Sequence, residues 1–353
     1  MGGPGVPSGP VRRAILCRVR APRLGRLPDG VEVDLAWWAA PEDALEAHRR
    51  GDGPLLWPTL KTLEALADCA SVADVLALRV TPVPPPIPGV MTEVRRVLAP
   101  NPGPYTLEGT NTWIVGDSPS LVIDPGPDDR GHVEAVARLA GAVAAILLTH
   151  HHPDHAPGAA LLAQATGAPI LALRPAPGEE PLAGGKMVRA GTAALRVLSA
   201  PGHTPDHVVF HDPESGAMFT GDVVLGRGTS VVDPPEGDLR AYLGSLVALL
   251  EVQPTVLYPG HGPIVPDGAA KLREYLAHRK ERERQVLAGL EDGPKTPPEL
   301  VPDIYADHPV EIHPAASRSV LAHLLKLEAE GRVVRIGEAG DERFALTASG
   351  NSV

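Results

Sequence analysis

The chain has 353 residues, is 43% hydrophobic and only 3% aromatic, and carries a formal net charge of −11. This length suits two domains, or one domain with appendages, and the apolar content suffices for a buried core, while no apolar run reaches membrane-spanning length. The acidic balance and the scarcity of rings argue against a broad nucleic-acid surface, and make double-stranded DNA an unexpected partner.

Residues 1–10 are rich in Gly and Pro and read as a flexible tail. They lack a basic segment followed by an apolar one, so no secretory leader is expected. Two cysteines, Cys17 and Cys69, fit a reduced cytoplasmic protein better than a disulfide framework. Residues 11–80 form a small α/β segment, with strand character from Arg12 to Arg20 and helices expected over Glu42 to Arg50 and from Pro58 to Leu66. Its Trp37, Trp38 and Trp57 are expected to pack a small core. The run Val33-Asp-Leu-Ala-Trp-Trp38, with Leu55-Leu-Trp-Pro-Thr-Leu60, resembles the C-terminal part of Nudix hydrolases without the glutamate-rich Nudix box. Residues 81–89 hold a proline cluster that reads as a semi-rigid linker.

Residues 90–290 intermix strands and helices, the mark of an α/β or α+β catalytic domain. Strands are expected at Thr112 to Val115, Leu121 to Ile123, Ala144 to Leu148, Pro169 to Leu173, Leu195 to Leu198, Val208 to His211 and Thr255 to Leu257. Helices are expected at His132 to Ala140, Pro157 to Thr166, Leu239 to Leu250 and Ala269 to Leu290, the last presenting a charged, solvated face. Residues 293–348 read as a winged helix: a helix start at Thr296, an apolar-faced helix from Ala316 to Glu330, then a hairpin of Arg332 to Ile336 and Arg343 to Leu346. The apolar stripe on its second helix favours packing over DNA reading.

The chemistry concentrates in Thr149-His150-His151-His152-Pro153-Asp154-His155. His150 and His152 can reach one ion from a turn, while Asp154 and His155 face a second beside it; neutral imidazole and carboxylate suit a borderline divalent cation. Further donors of the right kind follow strand-like runs at His203, at Asp222 and at His261, each beside Gly or Pro. His151 is expected to point away from the ions, and His48, His132, His211, His278, His308, His313 and His323 to be surface or packing residues.

This ordered set resembles the metallo-β-lactamase superfamily. The resemblance implies an α+β, four-layer αβ/βα sandwich with two zinc ions at one edge of its sheets; manganese and iron suit the same donors. It implies His150, His152 and His203 on one ion, Asp154, His155 and His261 on the other, and Asp222 bridging. Asp154 and Asp222 would be the catalytic carboxylates, and a metal-bridging hydroxide the nucleophile. Asp124 reads either as an orienting partner of a ligand histidine or as an Asx turn before Pro125, and His207 as a support of the His203 turn. Asn111, Arg227 and Thr229 are candidate substrate contacts. The segments 101–112, 222–229 and 258–263, with the C-terminal wing, resemble the β-lactamase-like protein 2 group. That resemblance implies an endoribonuclease-like phosphodiesterase on single-stranded RNA, which needs a basic groove supplied by Arg227, Arg279 or Lys280. The alternative is a thioesterase acting on carrier-protein, coenzyme A or glutathione thioesters; a non-enzymatic winged-helix regulator is a third reading. Homo-oligomerisation is an open expectation.

Overall fold

The computed structural model describes residues 16–19, 35–38, 46, 94–307, 309–337 and 342–347. The chain divides into two compact units, Met1–Thr81 and Pro82–Val353. In the first, β1 (Leu16–Val19) pairs antiparallel with β2 (Leu35–Trp38). The expected tail, all but Glu46 of the helix after Pro41, the helix from Pro58, Trp57, Cys69, the proline linker, His48 and His308 lie outside the described residues, as does most of the Nudix-like segment.

In the second unit, β3 (Val94–Leu98), β4 (Asn111–Val115), β5 (Ser120–Ile123), β6 (Val143–Leu147), β7 (Ile170–Ala172) and β8 (Glu180–Pro181) form a six-stranded sheet in that order. A five-stranded sheet runs β13 (Leu257–Pro259), β12 (Met218–Gly221), β11 (Val208–His211), β10 (Ala193–Ser199), β9 (Met187–Ala190). Side chains alternate along each strand, so each sheet offers two faces. Trp113, Leu121, Ile123 and Leu147 of the first sheet meet Leu195, Val197, Phe210, Phe219 and Tyr258 of the second in one buried cluster.

The outer faces then need covers. Ile114, Val122 and Ile146 pack under α1 (Arg130–Ala140) and α2 (Gly158–Thr166) through Val133, Val136 and Leu162. Val209, Met218 and Leu257 pack under α3 (Leu239–Glu251) and α4 (Gly268–Gly289) through Tyr242, Leu246, Leu272 and Tyr275. The result is the four-layer αβ/βα sandwich. The C-terminal part adds α5 (Pro297–Ile304), opened by a Thr296–Glu299 capping box, then α6 (His313–Ala329) and the hairpin of β14 (Val333–Ile336) and β15 (Arg343–Leu346). Val320, Leu324 and Leu327 of α6 share a core with Val286 of α4 and with Leu290 just past its end, so its apolar stripe is spent on packing.

Three local readings are corrected. The last strand starts at Leu257, because the Thr255 amide is bound to Gly216 O and its carbonyl to the amide of Gly268. β8 and β9 carry too little apolar signal to be anticipated, and Pro181 is tolerated because β8 is a sheet edge. The charged helix α4 does form the exposed pairs Lys271–Glu274 and Arg284–Glu281, but its Arg279 is only 4% exposed and donates to Ser230 O.

Candidate metal centre

The site forms where the two sheets converge. Parallel pairing of β5 with β6 and of β12 with β13 brings their C-terminal ends to one edge, and strand ends of this kind are where sites collect. The edge is stitched across the sheets: Val208 N–H donates to Thr149 O (2.8 Å), and Asn111 N–H to Gly260 O (2.7 Å). Asp124, His150, Asp222 and His261 each follow one of these four strand ends, and His203 follows β10.

The donor atoms gather in two groups. His152 Nδ1 lies 3.0 Å from His150 Nε2 and 3.0 Å from His203 Nε2. His261 Nε2 lies 3.1 Å from both His155 Nε2 and Asp154 Oδ2. Asp222 spans the gap, with Oδ1 3.4 Å from His155 and His261 Nε2 and Oδ2 3.8 Å from His203 Nε2. Ligands at about 2.0–2.1 Å from a tetrahedral cation lie roughly 3.3 Å apart, so this spacing suits one ion per group.

Tautomers support that fit. His203 Nδ1–H donates to Val231 O (2.6 Å) and His261 Nδ1–H to Gly109 O (3.2 Å), which leaves both Nε2 lone pairs facing inward. Lone pairs converging on one point repel unless a cation lies between them. Asp222 Oδ1 is buried with no hydrogen-bond partner, so its lone pairs could ligate a cation.

Asp124 orients both groups. Its carboxylate accepts from Thr149 N–H (2.8 Å), from Thr149 Oγ1–H (2.7 Å) and from His155 Nδ1–H (2.9 Å). Thr149 Oγ1 in turn receives His150 Nδ1–H at 2.9 Å. One carboxylate thus fixes a histidine in each group, and Asp124, His150 and His155, though clustered, form a hydrogen-bonded brace rather than a third ion site.

The electrostatics match. Burial, then His155 and His207, drives His150 well below the ordinary histidine range. Burial opposes protonation of His155 and His261 as well, but Asp222 leads the carboxylates that hold His155 well above its ordinary value and His261 at about 9. Burial likewise works against ionised Asp222, yet His155 and His261 keep its carboxyl well below the usual range. Protons on the two imidazoles are what a divalent cation displaces on binding.

Glycine permits the crowding. Gly221 has φ +47°, and a Cβ there would lie 2.6 Å from Thr149 Oγ1 and 2.8 Å from His207 Nε2. A Cβ on Gly260 would lie 2.5 Å from Asp222 Oδ1.

The other candidates sit elsewhere. His207 accepts the Asp222 amide at Nε2 (3.1 Å), so it supports Asp222 rather than the His203 turn; burial and nearby His203 push it down to about 3. Asn111 is fully buried and donates to Pro259 O and Gly262 O, bracing the His261 turn instead of lining the pocket. Arg227 pairs with Glu108 at 2.6 Å. Thr229 lines a neighbouring cavity and not the one over the donors. His151 faces outward between Asp206 (2.6 Å) and Glu179 (2.9 Å). His132 and His323 are packing residues, 5% and 1% exposed. Sequence reasoning passed over Thr149, though it directly precedes the histidine run, Tyr105, though it lies within the 101–112 segment, and the pocket residues Val231, Pro234, Pro235 and Glu236, which carry no motif.

A cavity of about 450 Å³ opens over His152, Asp154, His203 and Asp222. Its walls include Tyr105, Leu225, Val231, Pro234 and Pro235, and its described charged residues away from the donors are Asp233, Glu236 and Arg318.

Comparison with known proteins bears on this site directly. Residues 105–186 and 173–261 match the metallo-beta-lactamase superfamily, and residues 296–342 the beta-lactamase associated winged helix domain. A beta-lactamase-like protein 2 homolog of Drosophila melanogaster is 33% identical over 74% of this chain and 96% of its own length. The chain belongs to the metallo-β-lactamase superfamily. Members of this superfamily are hydrolases, and the His/Asp groups above could bind metal. An atrochrysone carboxyl ACP thioesterase of Aspergillus chevalieri is 33% identical over 75% of this chain and 91% of that protein. In fold, the chain resembles a beta-lactamase domain protein from Burkholderia ambifaria, with a TM-score of 0.65, 23% identity and coverage of 74% and 92%.

Proposed function

We propose that this superfamily member is a dinuclear metal-dependent hydrolase of acyl thioesters, with carrier-protein or coenzyme A thioesters as the substrate class. The observation that carries this reading is the cavity over the donors, whose walls are largely apolar and whose described charges away from the donors are Asp233, Glu236 and an Arg318 already paired with Asp233. Such a mouth suits an acyl chain and repels a polyanion. The similarity to a carrier-protein thioesterase points the same way. The phosphodiesterase reading needs a basic groove at the donors themselves, yet neither Arg279 nor Lys280 lines the cavity over them, and Arg227 is paired with Glu108.

A pair of divalent cations, most simply zinc, would supply Lewis acidity there and lower the pKa of bound water. The protein's own residues do the rest. His150, His152 and His203 would hold one ion, Asp154, His155 and His261 the other, and Asp222 both. Asp154, a quarter exposed at the cavity floor, is placed to accept a proton as water is activated. Asp124 and Thr149 keep the imidazoles in the tautomer that offers a lone pair. The test is turnover of an acyl-thioester panel by metal-loaded protein: hydrolysis lost on chelation supports the reading, and cleavage of single-stranded RNA with intact thioesters returns the chain to the phosphodiesterase class.

A further inference from the structure

Beside the cavity over the donors lies a second one, of about 280 Å³, walled by the 229–233 segment, α4 and the start of α6. Tyr105, Val231, Asp233 and Arg318 line both cavities, so the two share a wall. Their polarity differs. The second is lined by Arg279, Arg282 and Arg318 against a single carboxylate, Asp233, which Arg318 already engages. Arg279 is 4% exposed, and its Nε has no hydrogen-bond partner. A buried guanidinium with an idle donor is costly unless an anion completes it. Arg282 is held in place over the Tyr305 ring at 4.1 Å and by donation to Ile304 O at 2.6 Å. Ala315 and Ala316, in the first turn of α6, also line the cavity, and no side chain caps that helix. The positive end of the helix dipole favours an anion in the same place.

A substrate using both cavities has an uncharged reacting end and an anionic far end. We propose that the second cavity seats the phosphate of a phosphopantetheine arm, whose thioester end reaches the His/Asp cluster. The inference rests on the thioesterase reading and narrows it: the phosphate is common to acylated carrier proteins and coenzyme A, and glutathione thioesters lack it.

The test is calorimetric titration of the metal-loaded full chain with 4′-phosphopantetheine and with pantetheine, which share a thiol and differ in the phosphate. The expected result is binding about ten-fold tighter for the phosphorylated compound. Ser319→Glu, which places a negative charge on the half-buried α6 wall, and Arg282→Gln should each remove that preference. Equal affinities in the unaltered protein would overturn the proposal. So would a single-stranded oligoribonucleotide that binds tighter than either compound and is released by the same substitutions. Tighter binding of a phosphopantetheinylated carrier protein than of coenzyme A identifies a protein-borne arm, the reverse identifies the coenzyme, and both support the phosphate seat. A phosphate preference without thioester turnover keeps the seat and overturns the thioesterase reading alone; turnover without the preference does the opposite.

Discussion

Asp124 bonds to His155 directly and to His150 through Thr149, so its loss would disturb both donor groups at once. Asp124→Asn is expected to lower metal affinity about 10–100-fold, read by competition with a chromogenic chelator. Thr149→Val should cost less, because the Thr149 amide still reaches Asp124, though the hydroxyl's bonds to Asp124 and His150 are both lost. Unchanged affinity in both would remove the orienting role. Gly221→Ala tests the crowding: a methyl 2.6 Å from Thr149 Oγ1 at φ +47° is expected to destabilise the fold by about 1–3 kcal/mol and lower metal content, read by thermal melting and elemental analysis. The donor residues are legible in sequence because metal chemistry restricts them to His and Asp beside tight turns. Burial of Arg279 and the bracing role of Asn111 are not, because both depend on which backbone carbonyls the fold brings to them from distant segments.

The elements follow from patterns of differing strength. Strands β4, β5, β6 and β11 are buried on both faces and read as continuous apolar runs, which is why they are visible in the sequence. The register of β13 is fixed instead by pairing of Tyr258 with Phe219 on β12, a tertiary contact that no local pattern carries. In the winged helix, the stripe on α6 announces a buried face but not its partner, which is the C-terminal end of α4. Leu324 is fully buried in that shared core, so Leu324→Ala is expected to cost roughly 2–5 kcal/mol. Thermal unfolding checks this, and a melting temperature within a degree or so of the parent would contradict the packing.

For the molecule as a whole, acid stability and catalysis test separate parts of the account. Burial holds His132 and His323 at about 4, below the ordinary 6.5, so the unfolded chain binds more protons between those values. Each then stabilises the fold by roughly 3 kcal/mol at neutral pH, a contribution lost progressively as pH falls from about 6.5 to about 4. His323→Leu should flatten that part of the stability curve, as followed by urea unfolding across the range; an unaltered slope would contradict the burial argument. Among the described residues no helix is long and apolar enough to cross a membrane. The central claim is that the His/Asp groups carry metal-dependent thioester hydrolysis, and the most direct measurement is turnover of an acyl-phosphopantetheine thioester by metal-loaded protein beside Asp222→Ala and His152→Ala. The account predicts hydrolysis that falls at least about a hundred-fold in both variants and vanishes on chelation. Hydrolysis unaffected by either substitution would contradict it.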